Sequence, residues 1–148
     1  MSRFLLLACT MFFVESGCFQ DSTPEHSTFL PLGDYPSKFL KVVNCRLNAG
    51  HDRRYQQVFA NALAGDPYTS TPAPGSVLVA EEHGDPSCGS LIDYKVMAKE
   101  NPGYDSASGD WHWQELDTNQ RVVKDGHLTA CSSCHAQPPC SNFLCAQP

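Results

Sequence analysis

Three residues near the C-terminus have types and spacing that could do chemistry: Cys131, Cys134 and His135. Two residues separate the cysteines, so one tight turn can present both thiols, and the histidine follows at once. This is the attachment signature of a c-type haem, whose vinyl groups bind the thiols and whose iron binds the histidine. Chance would produce roughly 0.02 such motifs in a chain with eight cysteines and six histidines. The motif therefore predicts one covalently attached haem c.

Two other uses of the cysteine pair are open on spacing alone. One is a disulfide or redox pair, which is more typical of a βαβ context than of the pattern around this motif. The other is a zinc site, but the chain contains one CxxC and no second pair at a zinc-finger spacing. We therefore favour haem.

Length and composition restrict the class of protein. With 148 residues, of which 41% are hydrophobic, the chain has room for one domain and too little apolar sequence for a membrane protein. The formal net charge of −6 argues against nucleic acid or anionic lipid as the main partner. Eleven prolines and ten glycines favour short elements joined by many turns.

The N-terminus is typical of an export signal. Arg3 is followed by a short apolar run over residues 4–14, which is too short to cross a bilayer comfortably. We interpret residues 1–17 as a signal peptide and predict an exported protein of a bacterium, periplasmic or anchored to the membrane as a lipoprotein through Cys18. Glu15 departs from the lipoprotein cleavage pattern, so ordinary cleavage nearby and an uncleaved anchor are the alternatives. Residues 18–34 are interpreted as a polar linker, and residues 35–148 as the domain that carries the motif.

The elements that must position the motif are predicted mainly from apolar periodicity. Residues 35–47 carry apolar side chains at helical spacing and predict an amphipathic helix. Residues 54–61 fit a strand or a helix, and residues 60–64 look helical. Three strands are predicted over residues 76–81, 91–99 and 111–116. Trp111 and Trp113 share one face of the last strand, which would form core or the wall of a haem pocket.

The cysteines outside the motif are expected to pair in an exported protein. If Cys9 leaves with the signal peptide and Cys18 is lipidated, four remain, and these allow three connectivities. Proximity favours Cys45–Cys88 with Cys140–Cys145.

Five further segments accompany the haem motif in an order and spacing typical of one family. They are PGSVLV at 74–79, VMAK at 96–99, GYD at 103–105, GDWHW at 109–113 and NFLC at 142–145. From about residue 36 onward the chain resembles the cytochrome P-460 family, which includes the cytochrome c′-beta proteins. The resemblance implies an α+β fold: a mainly antiparallel β-sheet with a few helices packed on it, a C-terminal haem c motif and often a homodimer.

The same resemblance implies a single haem bound by the motif histidine, five-coordinate, with an open distal face. Members of this kind bind or process nitric oxide, or oxidise hydroxylamine by means of a lysine cross-linked to the haem. The simplest register places Ala80 where that lysine would stand, so hydroxylamine oxidation is not expected. It places Gln56 at the distal arginine, with Arg54 nearby, and Lys95 near the distal acid. The candidates for the distal pocket are therefore Gln56, Ala80, Lys95 and Met97.

Three functions are left open. The first is binding or processing of a small gaseous or nitrogenous ligand such as nitric oxide at the iron. The second is six-coordinate electron transfer with a redox partner protein, for which five residues have a suitable side chain: Met97, His51, His83, His112 and His127. Met97 is the best placed of these because it lies within a strand, although we favour its interpretation as a core residue. We interpret His51 as a surface turn residue beside Asp52. The third is an oxidoreductase, but no acid–base constellation demands an enzyme.

Overall fold

The computed structural model describes residues 32–145. The signal peptide, Cys9, Cys18 and most of the linker lie outside the described residues, so the predictions for them stay predictions. Within residues 32–145, no helix has the length and apolarity needed to cross a membrane.

A six-stranded antiparallel sheet forms the centre of the protein. Its strands follow the chain from one edge to the other. They are β1 Leu40–Asn48, β2 Arg54–Ala60, β3 Val77–His83, β4 Leu91–Lys99, β5 Trp111–Leu116 and β6 Val122–Gly126. Two helices, α1 Tyr35–Lys38 and α2 Thr129–His135, and a small hairpin of β7 Cys140–Ser141 and β8 Leu144–Cys145 complete it. The expectation of a mainly antiparallel sheet with a few helices is confirmed.

The helix expected over residues 35–47 is wrong beyond its first turn. The helix α1 ends at Lys38, and the chain then continues as β1, which pairs with β2 from Leu40↔Ala60 to Asn48↔Arg54. The apolar spacing fitted a helix, but the β-branched pair Val42 and Val43 suits a strand, and pairing with β2 decides in its favour.

The other strand predictions compare well with the structure. Of the ambiguous residues 54–61, Arg54–Ala60 form β2, and the strands expected at 76–81, 91–99 and 111–116 appear as β3, β4 and β5. The helix expected over residues 60–64 is wrong, because Asn61 begins a turn that the backbone N–H of Ala64 closes on the Asn61 carbonyl at 3.1 Å. A single turn of this kind satisfies the local backbone without continuing as a helix.

The two faces of the sheet carry separate apolar clusters, because side chains alternate along each strand. One face, here called the motif face, buries Val43, Val58, Leu78, Met97, Trp111, Trp113 and Leu144. The opposite face, here called the α1 face, buries Tyr35, Phe59, Val79, Tyr94, Val96 and Leu116. The helix α1 covers the second face through Tyr35, and Leu128 and Cys131 at the start of α2 pack on the first.

Both expected disulfides are present. Cys45–Cys88 ties β1 to the turn after β3, and Cys140–Cys145 closes the hairpin of β7 and β8. Among the described cysteines, Cys131 and Cys134 are free thiols.

Candidate functional site

The helix α2 carries all three motif residues and lies on the motif face of the sheet. Gly126, at φ +97°, turns the chain at the end of β6. The Leu128 carbonyl then accepts hydrogen bonds from the backbone N–H groups of Cys131 and Ser132, at 2.8 and 3.0 Å. Leu128 and Cys131 pack against the apolar cluster of this face, whereas Cys134 is exposed. The short helix is therefore fixed to the sheet by its first turn.

The two motif thiols differ in environment. Burial raises the pKa of the Cys131 thiol and the nearby Glu115 carboxylate adds to this, against the opposing charges of Lys95 and Lys124. A raised pKa disfavours the thiolate that a zinc site or a reactive cysteine requires. The pocket around Cys131 thus suits a neutral sulfur, either a thiol or a thioether.

His135 is oriented by the chain that follows it. Its Nδ1 lies 2.7 Å from the carbonyl oxygen of Phe143, so this nitrogen carries the hydrogen and donates it. Burial lowers the pKa of His135 and the neighbouring His51 acts in the same direction, while the Phe143 carbonyl opposes them. A neutral imidazole whose Nδ1–H is engaged presents the lone pair of Nε2, which is the usual arrangement of a metal-binding histidine.

The C-terminal hairpin holds that carbonyl in place. Its two-residue turn, Asn142 and Phe143, has positive φ at both positions, and the Cys140–Cys145 disulfide closes its ends. The Asn142 carbonyl accepts a hydrogen bond from Nε1 of Trp111 at 3.1 Å, and this bond joins the hairpin to β5. A Cβ at Gly109 would come within 2.8 Å of the Phe143 ring, so glycine permits this close packing.

Trp113 packs against the His135 ring. The two ring centroids are 4.9 Å apart with an edge-on geometry. Its Nε1 is buried and has no hydrogen-bond partner among residues 32–145. Buried indole N–H groups are normally bonded, so this donor beside the motif histidine has capacity for an acceptor that the described chain does not supply. The expectation that the tryptophan face forms core or pocket wall is consistent with this position.

His51 is a turn residue, as its sequence suggested, but its side chain is partly buried and not fully at the surface. It lies half-buried in the turn between β1 and β2, with its ring centroid 6.1 Å from that of His135. Its Nδ1 bonds the carboxylate of Glu82, whose side chain is 2% exposed. Burial opposes ionisation of Glu82, but the hydrogen bond from His51 and the positive charge of Lys95 outweigh burial and hold the pKa of Glu82 below the ordinary value.

A row of alternating charges extends from this pair across the sheet. Arg54 bonds both Glu82 at 2.9 Å and Asp93 at 2.7 Å. Lys95 lies 3.3 Å from Asp93 and 3.5 Å from Glu115, and Lys124 lies 2.9 Å from Glu115. Because each partly buried charge has neighbours of opposite sign, the row fixes side chains on the motif face that would otherwise be costly to bury.

The candidate distal residues come together on the motif face. Gln56 is buried next to Glu82 in the sheet and accepts a hydrogen bond from Asn48 at 2.9 Å. Ala80 pairs with Lys95 on the neighbouring strand and packs on the same cluster as Cys131. They lie on the side of the sheet that carries α2, while their role toward a haem stays a prediction.

The other candidate axial ligands are placed less favourably than His51. Met97 is 8% exposed within the apolar cluster, which confirms the core interpretation. His83 and His112 alternate with residues of the motif face, and they bond Glu81 and Asp125 respectively. His127 is exposed, stacks on Tyr104 and bonds Asp105 at 3.0 Å.

Sequence reasoning missed Glu82 and the Phe143 carbonyl, and it noted Arg54 only as a neighbour of Gln56. The strand over residues 76–81 was expected to end before Glu82, and a backbone carbonyl has no signature in a sequence.

The donor set fits a haem of the c type. Two free thiols and a neutral histidine lie on one helix over an apolar face, and the N–H of Trp113 beside them has no acceptor among the described residues.

A comparison with protein-family models found no match to the chain, and neither did a comparison with curated proteins.

Proposed function

We propose that this chain is an exported monohaem c-type cytochrome, similar to the cytochrome P-460 family, that binds or processes a small ligand such as nitric oxide. The observation that carries the proposal is the orientation of His135. Its Nδ1–H is held by the Phe143 carbonyl and its helix presents two free thiols, so three groups are available in the order that the attachment motif requires.

Cys131 and Cys134 would hold the group covalently. Each thiol would supply the sulfur of one thioether bond, with its hydrogen going to the second vinyl carbon, so the attachment would need no oxidant. The haem would supply an iron that binds diatomic or nitrogenous molecules. The chain's own contribution is a neutral axial nitrogen from His135, apolar walls from Met97 and Trp113, and the buried polar row through Glu82.

A second candidate function is electron transfer with a redox partner protein. The observation that favours it is His51, whose ring lies beside that of His135. Under that function both axial positions are filled by the protein. Hydroxylamine oxidation is not proposed, because Ala80 replaces the lysine that the resemblance implies.

The place and partners of the protein are part of the proposal. It would act outside the bacterial cytoplasm, in the periplasm or attached to the membrane by a lipid at Cys18. A second copy of the chain and a redox protein are the macromolecular partners that the resemblance and the second function imply.

The test is expression with a haem c maturation system, followed by mass spectrometry of the purified protein. We expect the mass of the mature chain plus one haem, which denaturation does not release. Full covalent haem in a Cys131→Ala/Cys134→Ala variant, or none in the parent chain, would defeat the proposal. Haem attached at a third point would overturn the exclusion of a cross-link.

Optical spectra of the reduced protein then separate the two functions. A spectrum that changes on addition of nitric oxide or carbon monoxide supports ligand binding. A low-spin spectrum that ignores both gases supports electron transfer alone. His135→Ala is expected to remove the axial ligand in either case.

A further inference from the structure

His51 and His135 share an arrangement that the sequence does not suggest. Their ring centroids are 6.1 Å apart, although 84 positions separate them along the chain. The turn between β1 and β2 brings His51 to the motif face, and α2 brings His135 there from the other end of the chain. Two histidines placed side by side on one face can act on the same bound atom.

Each of the two rings has its Nδ1 engaged by an acceptor. His135 donates to the Phe143 carbonyl, and His51 donates to the Glu82 carboxylate. In a neutral imidazole the second nitrogen, Nε2, then carries the lone pair. A carboxylate or a backbone carbonyl behind the ring is the usual support of a metal-binding histidine, because it fixes the tautomer and the ring orientation.

The carboxylate that binds His51 is itself held by further contacts, which an ordinary turn residue does not require. Glu82 is almost completely buried, and Arg54 binds its second oxygen at 2.9 Å while also binding Asp93. A buried carboxylate held from two sides has little freedom to follow a moving side chain, so it defines where His51 lies. His127 also bonds a carboxylate, but it is exposed and stacks on the ring of Tyr104.

The ring separation also fits a shared metal. A metal about 2 Å from one nitrogen of each of two imidazoles would separate the ring centroids by roughly 6 Å. We propose that this chain departs from the open distal face that the resemblance implies: His51 is the sixth ligand of the iron when no external ligand is bound, so that a small molecule reaches the iron by displacing it. This inference rests on the proposed function, since it requires a haem bound through His135.

The experiment compares three holoproteins that carry covalent haem: the parent chain, His51→Ala and, as a matched control, His127→Ala. Electron paramagnetic resonance and optical spectra report the spin state, and flash photolysis reports carbon monoxide binding. We expect a low-spin parent and control, and a high-spin His51→Ala variant. Carbon monoxide should bind His51→Ala at least about tenfold faster, because the iron no longer has to release a protein ligand.

A further variant, Glu82→Gln, tests the supporting contact. Its amide oxygen can still accept from His51, so the spectrum should stay low-spin while carbon monoxide binding becomes faster than in the parent chain. A spectrum and a rate equal to those of the parent would overturn the role assigned to Glu82.

The outcomes separate the two proposals. Covalent haem with a high-spin spectrum in the parent chain overturns the assignment of His51 and leaves the proposed function intact. A low-spin parent whose spectrum His51→Ala does not change also overturns it. A parent chain without covalent haem defeats the proposed function, and the assignment of His51 falls with it.

Discussion

Trp111 and Trp113 lie on the same strand but differ in their hydrogen bonding. Both are buried on the motif face, at 0% and 3% exposure. Trp111 donates its N–H to the Asn142 carbonyl and so fastens the C-terminal hairpin, whereas Trp113 lies under His135 with its N–H unbonded. The N–H of Trp111 therefore stabilises the fold, whereas the N–H of Trp113 is available to a group bound at the site.

This difference can be measured by replacing each tryptophan with phenylalanine. Both changes remove similar volume, but Trp111→Phe also removes a hydrogen bond. We expect Trp111→Phe to lower the free energy of unfolding by about 0.5–1.5 kcal/mol more than Trp113→Phe. Urea denaturation of both variants in the same haem state measures it. Equal losses would mean that Trp113 has a bonding partner after all.

The C-terminal hairpin is the element on which the candidate site most depends. It contributes the carbonyl that orients His135, the carbonyl that binds Trp111 and the buried side chain of Leu144. Its disulfide spans 5 positions, compared with 43 for Cys45–Cys88. The long bond therefore restricts the unfolded chain much more than the short one, whose main consequence is local geometry.

The two disulfides should accordingly differ in their effects when removed. From separations of 43 and 5, we expect Cys45→Ala/Cys88→Ala to cost about 4 kcal/mol and Cys140→Ala/Cys145→Ala about 2 kcal/mol. The second variant should nevertheless change the spectrum of bound haem more, because the Phe143 carbonyl is no longer held. Chemical denaturation and optical spectra measure the two effects. A larger spectral change on loss of Cys45–Cys88 would contradict this division.

At the scale of the whole molecule, the sheet separates the site from a second core. The motif face carries α2, the hairpin and the charged row, while the α1 face carries an aromatic cluster of Tyr35, Phe59 and Tyr94. Since the backbone of the sheet lies between them, changes on the α1 face should reach the site only through overall stability.

Leu116→Ala and Met97→Ala test that separation. Both residues are buried, on the α1 face and the motif face respectively, and each truncation should cost about 2–5 kcal/mol. We expect Leu116→Ala to leave the haem spectrum unchanged, and Met97→Ala to alter it because Met97 packs in the same cluster as Cys131. Differential scanning calorimetry and optical spectra provide the two readouts. A spectral change in Leu116→Ala alone would show that the faces are coupled.

The sequence by itself determined the local features of this protein. The attachment motif is contiguous, three of the strands alternate strongly enough to be recognised, and the favoured disulfide pairing is the one that forms. The segment after Lys38 could not be predicted, because its apolar spacing fitted a helix and only pairing with β2 made it a strand. Likewise, His51, Glu82 and the Phe143 carbonyl lie far apart in the chain. Only the folding of β1, β3 and the C-terminal hairpin onto one face decided that they surround His135, since contacts between distant segments depend on sheet register and not on local sequence.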